Sequence, residues 1–260
     1  MSSLFITIIQ SALHWENNTA NLKMFTEKID GITNKTEVVV LPEMFNTGFS
    51  MKPKEHAEKM DGETVRWMKE TAAKKKIILT GSAMIEECGN YFNRLLWIFP
   101  NGKTVWYDKR HLFAYAGENK HYTAGEKRII ISVNGWKIFP LICYDLRFPI
   151  WCRRTNDNDF DVALFVANWP ERRNQAWKTL LQARAIENQS FIVGVNRVGR
   201  DGNEVYHSGD STIVDPMGKI LYSKEHEEDV FTIELQKEFL EETRTRLPFW
   251  KDGDSFKIDL

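Results

Sequence analysis

Three short stretches of the sequence set reactive side chains where apolar runs end. In VVVLPEMFNTGF, Glu43 follows a β-branched run and Pro42; in VWYDKRHLF, Lys109 closes a second run. In FPLICYDLRFP, Cys143 sits where Phe139, Pro140, Leu141 and Ile142 give way to a tyrosine, an aspartate and an arginine. Strand ends are where α/β sheets display reactive groups, because the chain there leaves the core beside a crevice. A carboxylate, an ammonium and a thiol converging there form an acyl-transfer set that needs no metal. A free thiol is only about 3% thiolate at neutral pH, so it needs a base to take its proton. A carboxylate in a water-poor cleft can serve. A lysine at about 4 Å adds roughly 4 kcal/mol of attraction at an effective dielectric near 20, before desolvation is subtracted. It also steadies the oxyanion formed when a carbonyl is attacked.

Each residue alone has a plainer reading. A buried cysteine is most often a small hydrophobe, Glu43 a helix-capping or surface group, and Lys109 one of many solvated lysines. The elements that carry them must therefore bear the argument.

With 260 residues, 42% hydrophobic and 12% aromatic, the chain can bury a sizeable core. A formal charge of -1 gives no global reason to expect nucleic acid or a membrane surface as partner. Lys74-Lys75-Lys76 and Arg172-Arg173 read as solvated helix faces. The N-terminal MSSLFITIIQSALHW lacks a basic region before its apolar run, so it reads as a first strand, not a signal peptide. No run of about 18 apolar residues occurs. Three cysteines without a C-x-x-C pair argue against disulfides or structural zinc and for a reducing, cytoplasmic compartment.

Strand-like runs at 5–9, 37–41 and 77–84 alternate with helical spacing at 21–29 and 62–75, where Val65, Met68 and Ala72 share a face. Asn101-Gly102 and Asn134-Gly135 each separate two strand-like runs, predicting hairpins with type I′ turns. Further strands are expected at 161–166, 191–195, 212–214, 220–222 and 230–234, and a helix at 173–188 carrying Ala176, Trp177, Leu180, Leu181 and Arg184. The polar stretch 113–126 reads as a long functional loop. No linker or repeat divides the chain, so a single α/β (α+β) domain spanning residues 1–260 is expected, with a short extension from about 235.

LPEMF around Glu43, YDKRHLF around Lys109 and LICYDLRFP around Cys143 resemble, in order and spacing, the three signature segments of the nitrilase (carbon–nitrogen hydrolase) superfamily. The resemblance runs from Phe5 to about Glu234. It implies a four-layer α-β-β-α sandwich, a homodimer or larger homo-oligomer, and no cofactor. It makes Cys143 the nucleophile, Glu43 the general base and Lys109 the stabiliser of the tetrahedral intermediate with the backbone N–H of Tyr144. Glu118, in the loop after the lysine, matches a second active-site glutamate. Asp145 and Arg147 are expected to brace the turn after Cys143, with Arg147 as a carboxylate binder the alternative.

HLFAYAGENKHYTAG and VANWPERRNQAWKTLLQARAIENQ resemble the omega-amidase branch, which implies a 2-oxo dicarboxylate monoamide such as 2-oxoglutaramate as substrate, cleaved with water to release ammonia. A small anionic substrate wants cations at its distal end and aromatic walls; Phe45, Tyr115, Trp169, Arg172 and Arg173 are the candidates, Phe45 and Trp169 being equally readable as core. The chain lacks the longer tail and the lysine-loop pattern of true nitrilases, which disfavours a nitrile. Two rivals remain: a Cys–His hydrolase using His111, His121 or His207, and a catalytically idle interaction module.

Overall fold

Three consecutive valines show how the layers assemble. Val38 and Val40 point into a core shared with Ile6, Leu164 and Val193, while Val39 points the other way, among Leu22, Phe25 and Met68. Side chains alternate along a strand, so this stretch is buried between a second sheet on one face and helices on the other.

The structure, a computed structural model, describes residues 3–258. Among these, the first sheet has parallel strands β1 (Ser3–Gln10), β2 (Val38–Val40) and β3 (Ile78–Glu87), followed by antiparallel β4 (Asn90–Ile98) and β5 (Thr104–Asp108). The second holds β6 (Ile131–Val133), β7 (Trp136–Ile142), β8 (Val162–Val166), β9 (Phe191–Val195), β10 (Val198–Arg200), β11 (Tyr206–Val214) and β12 (Ile220–Glu225), with β7, β8 and β9 parallel. The last strand, β13 (Asp229–Gln236), returns to the first sheet and pairs antiparallel with β1 along its length.

Helices α1 (Asn18–Asp30) and α3 (Glu63–Lys75) cover the outer face of the first sheet. Asn17 caps α1 by accepting the Ala20 N–H at 3.1 Å, and burying Leu22, Phe25 and Ile29 contributes about 1.5–3 kcal/mol each. Two one-turn helices, α2 (Pro53–His56) and α4 (Pro149–Cys152), each begin with proline. Helix α5 (Asn174–Asn188) covers the second sheet through Trp177, Leu181 and Ala185. The expected α-β-β-α sandwich is thus observed.

Several local readings change. Asn134 and Gly135 both have positive φ, as a type I′ turn requires, but at Asn101-Gly102 only Gly102 does. That turn closes instead with the Phe99 N–H donating to Lys103 O, one residue wider than predicted. The loop at 113–126 contains two 3₁₀ turns, Ala114–Ala116 and Glu118–Lys120, joined at Gly117. The extension after β13 is a helix, α6 (Lys237–Arg246), seated by Leu240 and Thr243.

Candidate active site

The strand ends converge. Glu43 follows β2 in a segment clamped to β3: the Leu41 N–H donates to Thr80 O at 2.8 Å and the Phe45 N–H to Ser82 O at 3.0 Å. This approach needs Gly81, where a Cβ would come within 2.8 Å of Leu41 Cβ. Lys109 is the first residue beyond β5, its N–H held by Asn93 O at 3.0 Å.

Cys143 opens a 3₁₀ turn, Cys143–Arg147, immediately after β7. Its φ of 44° lies in the left-handed region, which costs an L-residue about 1–2 kcal/mol. Asp145 holds the chain there. Its buried carboxylate accepts the N–H of Ile142 (3.0 Å), the N–H of His111 (3.0 Å) and the Tyr107 hydroxyl (2.8 Å), with His111 Nδ1 at 2.8 Å. Asp145 is therefore the brace of this turn. Arg147 is not: its guanidinium lies 4.8 Å over the Trp169 ring, at the cavity wall.

The charged centre is closed off from the surface. Lys109 Nζ donates to Glu43 Oε1 at 2.8 Å, to Glu118 Oε2 at 2.9 Å and to Glu118 Oε1 at 3.1 Å, and all three side chains are fully buried. Burial opposes the ammonium, but the charges of Glu118, Glu43 and Cys143 outweigh it and raise the Lys109 pKa above its ordinary value. Burial pushes the Glu118 carboxyl up, with Lys109 opposing. Burial and then the charge of Glu43 drive the Cys143 thiol well above its ordinary value, so the sulfur rests protonated. Glu43 Oε2 accepts the Asn168 N–H at 2.8 Å, which ties the end of β2 to the end of β8.

A cavity of about 260 Å³ opens over this centre. Lys109, Cys143 and Tyr144 line it together with Arg147, Trp169, Arg172, Arg173 and the exposed Tyr115. Arg173 does not join a solvated helix face: it is half-buried over the Phe113 ring, and burial together with Arg172 lowers its pKa. Among the described residues no carboxylate pairs with Arg147, Arg172 or Arg173. Trp169 is both wall and core, packing on Trp177 at 5.5 Å.

Phe45 needs correction as a substrate-binding residue. It faces away from the cavity and packs on Phe25 (5.6 Å) and Trp67 (5.9 Å) beneath α1 and α3. Phe49 lines the cavity instead, its ring 5.1 Å from Lys109 Nζ. Asn93, Asn168, Phe113 and Asn203 escape a reading of the sequence, since a lone amide or ring carries no spacing signature. As for the histidines, His111 is bound to Asp145, His121 is exposed, and His207 lines the cavity with its Nδ1 on Val205 O at 3.0 Å.

The profile of the Carbon-nitrogen hydrolase family matches residues 5–245. The chain is 43% identical over 259 residues to the omega-amidase YafV of Escherichia coli (strain K12), covering 99% of this chain and 100% of that protein. It is 31% identical over 250 residues to the 2-oxoglutaramate amidase of Bacillus subtilis (strain 168), covering 95% and 96%. The crystal structure of XC1258 from Xanthomonas campestris, a CN-hydrolase superfamily protein with an arsenic adduct in its active site, matches with a TM-score of 0.97 at 41% identity over 100% of both chains. With a glutamate, a lysine and a cysteine meeting beneath one cavity and a match along nearly the whole chain, this protein belongs to the carbon-nitrogen hydrolase family.

Proposed function

We propose that the protein is an omega-amidase that hydrolyses the terminal amide of a 2-oxo dicarboxylic acid monoamide, of the 2-oxoglutaramate or 2-oxosuccinamate class, releasing ammonia and the 2-oxo diacid. The observation that carries this is the placement of a buried Glu43–Lys109–Glu118 cluster beside Cys143, under a cavity whose wall bears three arginines without carboxylate partners. The activities of the two amidase relatives support it.

In this reading Glu43 takes the thiol proton as the Cys143 sulfur bonds to the amide carbon. Concerted transfer suits a thiol that rests protonated. Lys109 Nζ and the Tyr144 N–H receive the oxyanion, and the left-handed turn at Cys143 re-aims the backbone for that purpose. Glu118 orients Lys109. The C–N bond breaks as Glu43 returns the proton to nitrogen, leaving ammonia and a thioester. Water, deprotonated by Glu43, then attacks the thioester carbon; the C–S bond breaks and the sulfur regains its proton. Arg173 and Arg147 would hold the distal carboxylate, against walls of Trp169 and Phe113.

The reading extends to a cytoplasmic homodimer or larger homo-oligomer working without a cofactor. Three free cysteines fit a reducing compartment, and exposed Ile150, Ile186 and Phe249 fit self-association; sedimentation of the purified protein measures the assembly. Ammonia release over 2-oxoacid amides, plain amides, N-carbamoyl amino acids and nitriles tests the substrate, with acyl-Cys143 sought by mass spectrometry. The 2-oxo dicarboxylate monoamides should lead. Equal rates on monocarboxylic amides would refute the substrate class, and turnover without any Cys143 adduct would refute the thioester route.

A further inference from the structure

Asn93, on β4, has no acid–base chemistry of its own, yet its side chain touches both buried glutamates. Its Nδ2 donates to Glu43 Oε1 at 2.8 Å and to Glu118 Oε1 at 3.1 Å. Lys109 Nζ donates to those same two oxygens, at 2.8 and 3.1 Å. The four groups close a ring in which two donors alternate with two acceptors. One donor is charged and the other neutral.

The amide cannot turn over. On its far side the Met44 N–H donates to Ser82 Oγ at 2.9 Å, and Ser82 Oγ donates to Asn93 Oδ1 at 2.8 Å. Turned over, Oδ1 would face two carboxylate oxygens with no proton between them, whereas as it stands Oδ1 takes the single proton of the Ser82 hydroxyl. Oδ1 therefore accepts, and both N–H bonds face the glutamates. Met44 is itself in the left-handed region, φ 43°, one residue after Glu43. The relay thus runs from the backbone beside Glu43, through Ser82 and Asn93, back to the Glu43 carboxylate.

We infer that Asn93 is a positioning residue that holds Glu43 and Glu118 as two separate acceptors on one ammonium, keeping Glu43 available for the Cys143 proton. Two carboxylates this close in a buried site tend to share a proton. A neutral group with two N–H bonds offsets their repulsion without adding charge; a serine or threonine has one proton to offer, and a second lysine would cancel both carboxylate charges and weaken Glu43 as a base. The inference rests on the reading of Glu43 as base and Cys143 as nucleophile.

Its test is the rate at which iodoacetamide alkylates Cys143, resolved from Cys88 and Cys152 by peptide mass mapping, from about pH 6 to about pH 10. Asn93→Asp keeps the shape but replaces the two donors with a carboxyl. It should slow alkylation about tenfold or more at neutral pH and move the profile up by about one pH unit, a factor of ten per unit. Ser82→Ala, which removes the donor to Asn93 Oδ1, should move it in the same direction by less, and it carries the test if circular dichroism shows that Asn93→Asp does not fold. Profiles of folded variants that overlie the wild type would overturn the inference. The readout needs no amide hydrolysis: a wild type that is alkylated at Cys143 but releases no ammonia from any amide would refute the amidase reading and leave this inference standing.

Discussion

The Tyr107 hydroxyl donates to the Asp145 carboxylate at 2.8 Å, joining the strand that carries Lys109 to the turn that carries Cys143. Each partner lies two residues from a reactive side chain. Trp151 Nε1 donates to the same phenol oxygen at 3.0 Å, so the link is anchored from a third side. The segments that carry the ammonium and the sulfur are thereby tied by a buried cross-strut.

Replacing that strut tests its function. Asp145→Asn keeps the volume but turns one acceptor oxygen into a donor facing donors. Leaving a buried group unpaired costs about 1–3 kcal/mol, or a Tm lower by about 2–12 °C for each group. A shift of the nucleophile by about 1 Å costs on the order of 100-fold in kcat. Calorimetry and ammonia release would measure both; unchanged kcat would show that the turn holds itself.

Removing Lys109 should cost stability as well as activity. Lys109→Met leaves Glu43 and Glu118 buried together without a cation, a loss of about 3–5 kcal/mol and a Tm drop on the order of 10 °C. Adding Glu118→Gln should recover part of the stability and none of the turnover. Recovery of turnover in the double variant, assayed by ammonia release, would remove Lys109 from the mechanism.

The cationic wall predicts a substrate-dependent effect. Arg173→Gln should raise KM for a 2-oxo dicarboxylate monoamide about tenfold or more, equivalent to about 1.4 kcal/mol, while leaving a neutral amide unaffected. A loss shared equally by both substrates would assign Arg173 to folding.

His207 predicts a stretch of acid sensitivity. Burial, and then the charge of Arg197, push its pKa down to about 4 in the folded chain. The unfolded chain binds that proton near pH 6.5. Above both values His207 is neutral in each state and contributes nothing. As pH falls from about 6.5 through about 4, only the unfolded state gains the proton, and stability falls by up to about 3 kcal/mol. His207→Gln should flatten urea-derived stability over that window; an unchanged slope would contradict the assignment.

Much of the architecture was legible because its signals are local. Alternating apolar runs and an Asn-Gly pair act over a few residues, and β7, β9, α5 and the Asn134-Gly135 turn lie where those patterns put them. Other features are not local. The pairing of β13 with β1 joins positions more than two hundred residues apart, and α6 has little apolar character to announce it. Phe45 packs in the core and Phe49 lines the cavity, a difference that four positions of sequence do not announce.

From its order of residues alone, this chain specifies where each reactive group leaves a strand and what chemistry a carboxylate, an ammonium and a thiol could perform together. Folding alone decides that they meet. The Asn168 N–H reaches Glu43 across 125 positions, and Asn93 becomes a shared donor only once two glutamates close around one lysine. Periodicity is written in neighbouring residues, whereas convergence depends on which strand ends two stacked sheets bring side by side.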